Sequence, residues 1–449
     1  MDMAQAETAQ AETAQARGWR DLFAARVPGM ENDALATLLS LAGRGDVISF
    51  AGGLPDPATF LTERLAEAAR RAIVDEPGIA LQYGPTPGLP RTRDWFRAYL
   101  ARQEGVAAPS HESVMVTSGG VEALDLLNKI LVDPGDVVLM EAPSYLGAEM
   151  VTTSYQGRVV GVPIDEEGLD VAALEETLVS LARRGRRPKF LYTIPDHQNP
   201  SGITLTDARR AALVALAAER DLLIVEDIAY RRLGFDAASG LPPTLWSLNP
   251  AGVVLVDTFA KTLFPAARVA CVAAPPEIVM AMTLAKQTTD QFASTLSQVI
   301  LVTYDEQGAL AEQVEGARLV YRRRRDAMLA ALDDLLPADV RWTRPEGGFF
   351  TWLTLPEGLD SAALTTAAAA RGIAYVPGQP FFAPGADGWR YLRLSYSYVR
   401  QGDIVEGVRR LATVIADGAD GADGMDGAST ATKQSGVLGS RDITRSIEG

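Results

Sequence analysis

Cysteine and histidine are nearly missing from this chain: one of the first, Cys271, and two of the second, His111 and His197, in 449 residues. A lone thiol closes no internal disulfide, and no metal site is expected. Positive charge is also short, 42 basic residues against 57 acidic ones, for a formal charge of -15. A field of that sign repels phosphate backbones and anionic membranes, so neither nucleic acid nor membrane is an expected partner. No uninterrupted apolar run reaches the roughly 20 residues that cross a bilayer. No signal-peptide pattern opens the sequence either, and together these absences predict a cytoplasmic protein.

What is present has the balance of a globular protein, 47% hydrophobic and 22% charged. A chain of this length suggests two closely packed domains. Residues 4–16 repeat Ala-Gln-Ala-Glu-Thr, and from Asp417 the chain becomes Gly-Ala-Asp repeats and a polar tail. Neither can bury enough apolar surface to offset its ordering entropy, so 1–17 and 417–449 are expected to be disordered. Between them, short apolar runs alternate with longer helical patterns, which predicts an α/β fold with a mostly parallel sheet covered on both faces. The strand candidates are Ser113 to Thr117, Val137 to Met140, Phe190 to Ile194, Leu222 to Val225, Val253 to Val256 and Ala267 to Ala273. Helices are predicted for Val121 to Leu131, Thr206 to Glu219 and one long stretch from about Ser294 to Leu335. In such sheets ligands sit beyond the carboxyl ends of the strands.

The residues just after these strands carry chemistry. Thr117-Ser118-Gly119-Gly120 opens a helix, where small residues let backbone N–H groups and the helix dipole meet an anion. Tyr145 offers a flat heteroaromatic ligand a stacking surface. Asp227 ends a buried apolar strand, which is costly without a cationic or hydrogen-bonding partner, and a protonated pyridine nitrogen is one such partner. Lys261 follows the next strand, where desolvation lowers an amine's pKa and makes it a usable nucleophile and base. Thr258 and Arg268 suit a phosphate.

With Ile48-Ser49-Phe50-Ala51-Gly52-Gly53-Leu54-Pro55, Gln82-Tyr83-Gly84 with Gly88, Asn199-Pro200-Ser201-Gly202, the Asp227/Tyr230 pair, the Lys261/Arg268 pair and Arg393-Leu394-Ser395, the chain resembles the fold type I, class I/II aminotransferases. Within them it is similar to the α-aminoadipate, kynurenine and aromatic amino acid branch, from about Asp46 to Ala416. The resemblance implies pyridoxal 5'-phosphate (PLP) as cofactor and Lys261 as its covalent imine anchor. It implies Asp227 on the ring nitrogen, Asn199 and Tyr230 on the ring oxygen, and Tyr145 stacked on the ring. Ser118, Gly119, Gly120, Thr258 and Arg268 would hold the phosphate, Tyr83 reaching it from the second subunit of a homodimer. Arg393 would clamp the substrate α-carboxylate, with Gly53 lining the site. The implied division is an N-terminal segment of a small domain at 18–60, a large PLP-binding domain at 61–325 and the remaining small domain at 326–416.

Three positions depart from that pattern. Ala260 replaces a common phosphate-binding Ser. Ala36 falls where this branch tends to carry an Arg for a distal carboxylate, so dicarboxylic donors are not expected to be preferred. His197, beside Asn199, has the chemistry of a proton donor or substrate contact, against the plainer reading of a hydrogen-bonded loop residue. His111 reads as surface. The leading function is transamination of a neutral or aromatic amino acid. The alternative is a decarboxylating deaminase or β-eliminating C–S lyase on an amino acid conjugate, as in lincosamide biosynthesis; a remote one is a MocR-like regulator domain. Trp19 to Leu41 and Gln287 to Thr295 are expected to help line the substrate pocket.

Overall fold

The computed structural model describes residues 19–30, 47–236 and 240–426. Its frame is an eight-stranded sheet made of β1 (Val114–Thr117), β2 (Val137–Ala142), β3 (Arg158–Asp165), β4 (Gly168–Leu169), β5 (Phe190–Thr193), β6 (Leu223–Asp227), β7 (Val253–Thr258) and β8 (Ala270–Ala273). The spatial order is β1-β8-β7-β6-β5-β2-β3-β4. Only β8 and β4 run against the rest. The central strands are nearly continuous apolar runs because both faces are covered. Val253 and Leu255 enter one core while Val254 and Val256 enter the other, and Val114 and Val116 likewise alternate with Met115.

The second layer is an antiparallel sheet of β9 (Arg341–Trp342), β10 (Phe350–Thr354), β11 (Val376–Pro377) and β12 (Tyr391–Ser395), ordered β9-β10-β12-β11. Ile48 and Ser49 pair in parallel with Ile373 and Ala374, which ties the N-terminal segment to this C-terminal part. The fold is therefore the expected α/β one, a large mostly parallel sheet with a smaller unit built from both ends of the chain.

Helices α1 (Gly120–Leu131), α2 (Leu146–Ser154), α3 (Asp207–Glu219) and α4 (Pro276–Gln287) follow the strands or loops that feed them. The single long helix expected from Ser294 is two, α5 (Thr295–Glu306) and α6 (Ala309–Leu335). Gly308, at φ +70°, takes the left-handed turn that ends one helix before the other begins. β6 and β7 run on to Asp227 and Thr258, so two site residues belong to the strands themselves. The candidate from Ala267 shortens to Ala270, because Pro265–Ala267 forms a tight turn and Arg268 is left-handed at φ 49°.

The expectation of disorder from Asp417 is corrected in part. α7 (Ile404–Asp426) continues through the first Gly-Ala-Asp repeats. Arg371 pairs with the Asp417 carboxylate, and Gly418 packs on Leu364, so tertiary contacts supply what composition lacked. The arm at 1–17 and residues 427–449 lie outside the described residues.

Candidate active site

β1, β2, β5, β6 and β7 all point the same way, so the residues following them gather at one sheet edge. There they meet β10 and β12 around a cavity of about 670 Å³. Gly53, Gly120, Tyr145, Asn199, Asp227, Tyr230, Thr258, Lys261, Arg268 and Arg393, all singled out from the sequence, line it.

Lys261 is held in place by donating from Nζ to the Gly53 carbonyl at 3.0 Å. Burial, then the charges of Arg393 and Arg268 against the opposing pull of Asp227, bring its amine down to about 8. Near neutral pH it is thus unprotonated far more often than an ordinary lysine, as a nucleophile requires. Asp227, on the neighbouring strand end, accepts from the Tyr192 hydroxyl at 2.9 Å and the Ala229 N–H at 3.1 Å. Burial pushes its carboxyl up to about 6 despite those two bonds. Its hydrogen-bond donors are both neutral, so a cation arriving from the cavity would be strongly favoured.

The anion-binding corner is made by close approach. Gly119, at φ +94°, lies so near Arg268 that a Cβ there would sit 2.3 Å from Nη2. Gly120 starts α1, with Thr258 3.5 Å from the place its Cβ would occupy. Backbone donors, a helix N-terminus, a hydroxyl and a guanidinium thus converge. Ala260 also lines the cavity and adds no donor from its side chain.

At the opposite end Arg393 projects from β12. It donates to Asn199 Oδ1 at 2.8 Å and to the Ala51 carbonyl at 2.9 Å, while its Nε has no protein partner. Phe350 lies 4.2 Å and Phe381 5.1 Å from the guanidinium carbon, as ring centroids. Burial lowers this guanidinium to about 10, still charged at neutral pH, so a carboxylate is its natural complement.

The remaining residues singled out from the sequence are placed as follows. His197 does not line the cavity. It is buried, its Nδ1 3.0 Å from Thr204 Oγ1, with its ring against Gly347 and Gly234. Burial lowers it to about 4, so it stays neutral and its role as proton donor or substrate contact is set aside. Its neighbour Asp196 is buried in ion pairs with Arg210 at 2.7 Å and Arg231 at 3.1 Å, a structural use of that loop. Tyr83 is 78% exposed, edge-on to Phe292, and away from its own chain's cavity. Ser118 and Gly119 are not among the lining residues. From Trp19 to Leu41, Met30 reaches the cavity; Ala36 lies outside the described residues. Gln287 to Thr295 contributes no lining residue.

Sequence reasoning missed Tyr192, whose only signal is its place one residue before the end of β5, beside β6. It also missed Gln198, whose amide donates to Glu141 at 3.0 Å and to the Pro143 carbonyl at 2.7 Å. That amide fastens the loop bearing Asn199 to the loop bearing Tyr145.

Residues 46–411 match the family described as aminotransferase class I and II. The chain belongs to that family. This aminotransferase is 39% identical to the aromatic-amino-acid aminotransferase 1 of Thermococcus litoralis, over 88% of its own length and 94% of the relative's. It is 40% identical to the 2-aminoadipate transaminase of Thermus thermophilus, covering 88% and 97% of the two chains. The solved α-aminoadipate aminotransferase of that organism, complexed with N-(5'-phosphopyridoxyl)-L-leucine, superimposes with a TM-score of 0.81 at 39% identity, over 90% of this chain and 99% of that one. The protein is a PLP-dependent enzyme, and the cavity fits that cofactor: an unpaired buried carboxylate for a ring cation, a reactive amine, and a glycine and arginine cradle for phosphate.

Proposed function

We propose that this aminotransferase acts on the α-amino group of neutral or aromatic amino acids, as a cytoplasmic homodimer. The observation that carries the substrate class is the cavity wall beyond Lys261. Leu54, Val121, Leu124, Leu146, Met150 and Val151 make it apolar. The cations among the described lining residues are Lys261, Arg268 and Arg393, and the site already engages all three. A second carboxylate on the substrate would be desolvated there without a partner. A relative named for aromatic amino acids, and one structure holding a leucine adduct, support the reading. They do not favour a C–S lyase or a decarboxylating deaminase.

Bound PLP supplies the electron sink that makes the substrate's Cα–H bond acidic. In our reading, Lys261 would anchor the cofactor, and its Nζ is the base that would take the substrate's Cα proton. Asp227, held by Tyr192 and Ala229, keeps the ring nitrogen protonated. Asn199 and Tyr230 would hydrogen-bond the ring oxygen, Tyr145 would offer its ring as a stacking surface, and Arg393 would fix the substrate α-carboxylate. Gly119, Gly120, Thr258 and Arg268 would form the phosphate corner, with Ser118 opening its turn. The exposed Tyr83 and Phe292 pair supports a shared site in which Tyr83 reaches the other subunit's phosphate. We place the large domain at 61–325 and the small one at 18–60 with 326–416.

The test is a panel of amino donors with a keto-acid acceptor. Leucine and phenylalanine should exceed glutamate and α-aminoadipate in kcat/KM, with stoichiometric amino/keto exchange. A preference for the diacids, or ammonia release without acceptor, would overturn the substrate reading. Lys261→Ala should abolish both turnover and the visible absorbance of the anchored cofactor; retention of either removes the lysine assignment.

A further inference from the structure

Behind the phosphate corner lies an ion cluster that this reaction does not use. Lys286, near the end of α4, is fully buried and its Nζ lies 2.7–2.8 Å from all four carboxylate oxygens of Glu122 and Asp290. Glu122 comes from the first turn of α1, and Asp290 from the turn just after α4. The two acids also take both donors of Ser118. Its N–H bonds Glu122, and its hydroxyl donates to Asp290 Oδ2 at 2.6 Å. Its carbonyl accepts from Arg268 Nη2 at 3.1 Å. Each polar group of Ser118 therefore has a protein partner already, in bonds that lie near the surface at the edge of the corner. Burial disfavours ionisation of Asp290, but Lys286 and Ser118 outweigh it and hold the carboxyl below its ordinary range, so it is charged at neutral pH.

An anion in the corner would meet a hydroxyl committed elsewhere and, one hydrogen bond further on, a carboxylate that Lys286 shares with Glu122. We propose that Asp290 is a positioning residue that sets the affinity of the phosphate corner, by withholding the Ser118 hydroxyl from the anion and by placing a carboxylate behind the turn. The inference rests on the reading of 118–120 with Arg268 as the phosphate site and deepens it. Binding then depends on the Gly119 and Gly120 backbone, Thr258 and Arg268, and the Ser118 hydroxyl is a reserve donor. The same turn after α4 leads to Phe292 against Tyr83.

The experiment is a double-mutant cycle on full-length enzyme stripped of cofactor, measuring dissociation constants for PLP and for pyridoxal, which lacks the phosphate. Ser118→Ala alone should change PLP affinity less than twofold, since its hydroxyl is already spoken for. Asp290→Ala should tighten PLP about tenfold, the size of one released charge-assisted hydrogen bond, and leave pyridoxal unchanged. Adding Ser118→Ala to it should remove most of that gain. Asp290→Asn should shift PLP in the same direction by less, and serves if the alanine variant does not fold. A tenfold loss with Ser118→Ala alone, or Asp290 variants that bind PLP no tighter, overturns the proposal. An Arg268→Ala variant that weakens PLP and pyridoxal alike would instead remove the phosphate-site reading, and this proposal with it.

Discussion

Replacing Asp227 by Asn should make the empty protein more stable at high pH and the working enzyme useless. The carboxyl, ordinarily near 3.8, is pushed up to about 6 by burial, against the hydrogen bonds of Tyr192 and Ala229. An acid whose folded pKa is raised binds its proton more tightly folded than unfolded. Its contribution is complete below about 3.8 and is lost as pH rises through about 6. At pH 8 the empty protein therefore bears a penalty of about 3 kcal/mol, at 1.36 kcal/mol per pH unit. The asparagine removes that charge but brings an amide donor pair needing a buried acceptor, a cost of about 1–3 kcal/mol. The net gain at pH 8 is thus small, whereas its pH dependence is not. The variant's Tm minus the wild type's should rise by about 2–5 °C between pH 4 and pH 8, allowing about 1–2 °C per kcal/mol for a chain of this size. Added PLP should reverse the order at pH 8, because only the wild-type carboxylate then gains a cationic partner. Differential scanning fluorimetry of cofactor-free and loaded protein measures both. A Tm difference that is the same at pH 4 and pH 8, or equal stabilisation of the two proteins by PLP, refutes the reasoning.

Arg393→Lys keeps the charge but loses the planar fork between Phe350 and Phe381, so kcat/KM should fall about 10–100-fold, mostly through KM. A KM within twofold of wild type in steady-state kinetics would show that the carboxylate binds elsewhere. His197→Ala should cost about 1–3 kcal/mol of stability through the space it vacates. It should also flatten the acid side of the Tm profile: an imidazole lowered to about 4 gives stability that is complete above about 6.5 and is lost as pH falls through 4. The pH profile of kcat should stay put, and a moved acid limb would return His197 to the chemistry.

The order of strands and the residues at their ends are written locally. Val253 to Thr258 is apolar at every position except its last two, so it belongs inside a two-faced sheet, and the loop after it has to emerge at the carboxyl edge with Lys261. The same logic places Asp227, Asn199 and Tyr145 without knowing which strands touch. What the local pattern does not hold is who meets whom. Tyr192 reaches Asp227 only because the crossovers lay β5 beside β6. Arg393 finds Asn199 across 194 positions of sequence, through the packing of the second sheet on the first. His197 has the chemistry of a catalyst, and only the glycines at 347 and 234 show that it fills a seat instead. The helix through Asp417 forms where composition predicts none, since Arg371 and Leu364 wait for it. Sequence alone therefore determined the fold class, the lysine and most of the cavity's rim, because burial patterns and turn chemistry act over a few residues. The tertiary structure decided which polar groups are free to react and which are already paired, because a hydrogen bond depends on distances that distant parts of the chain set together.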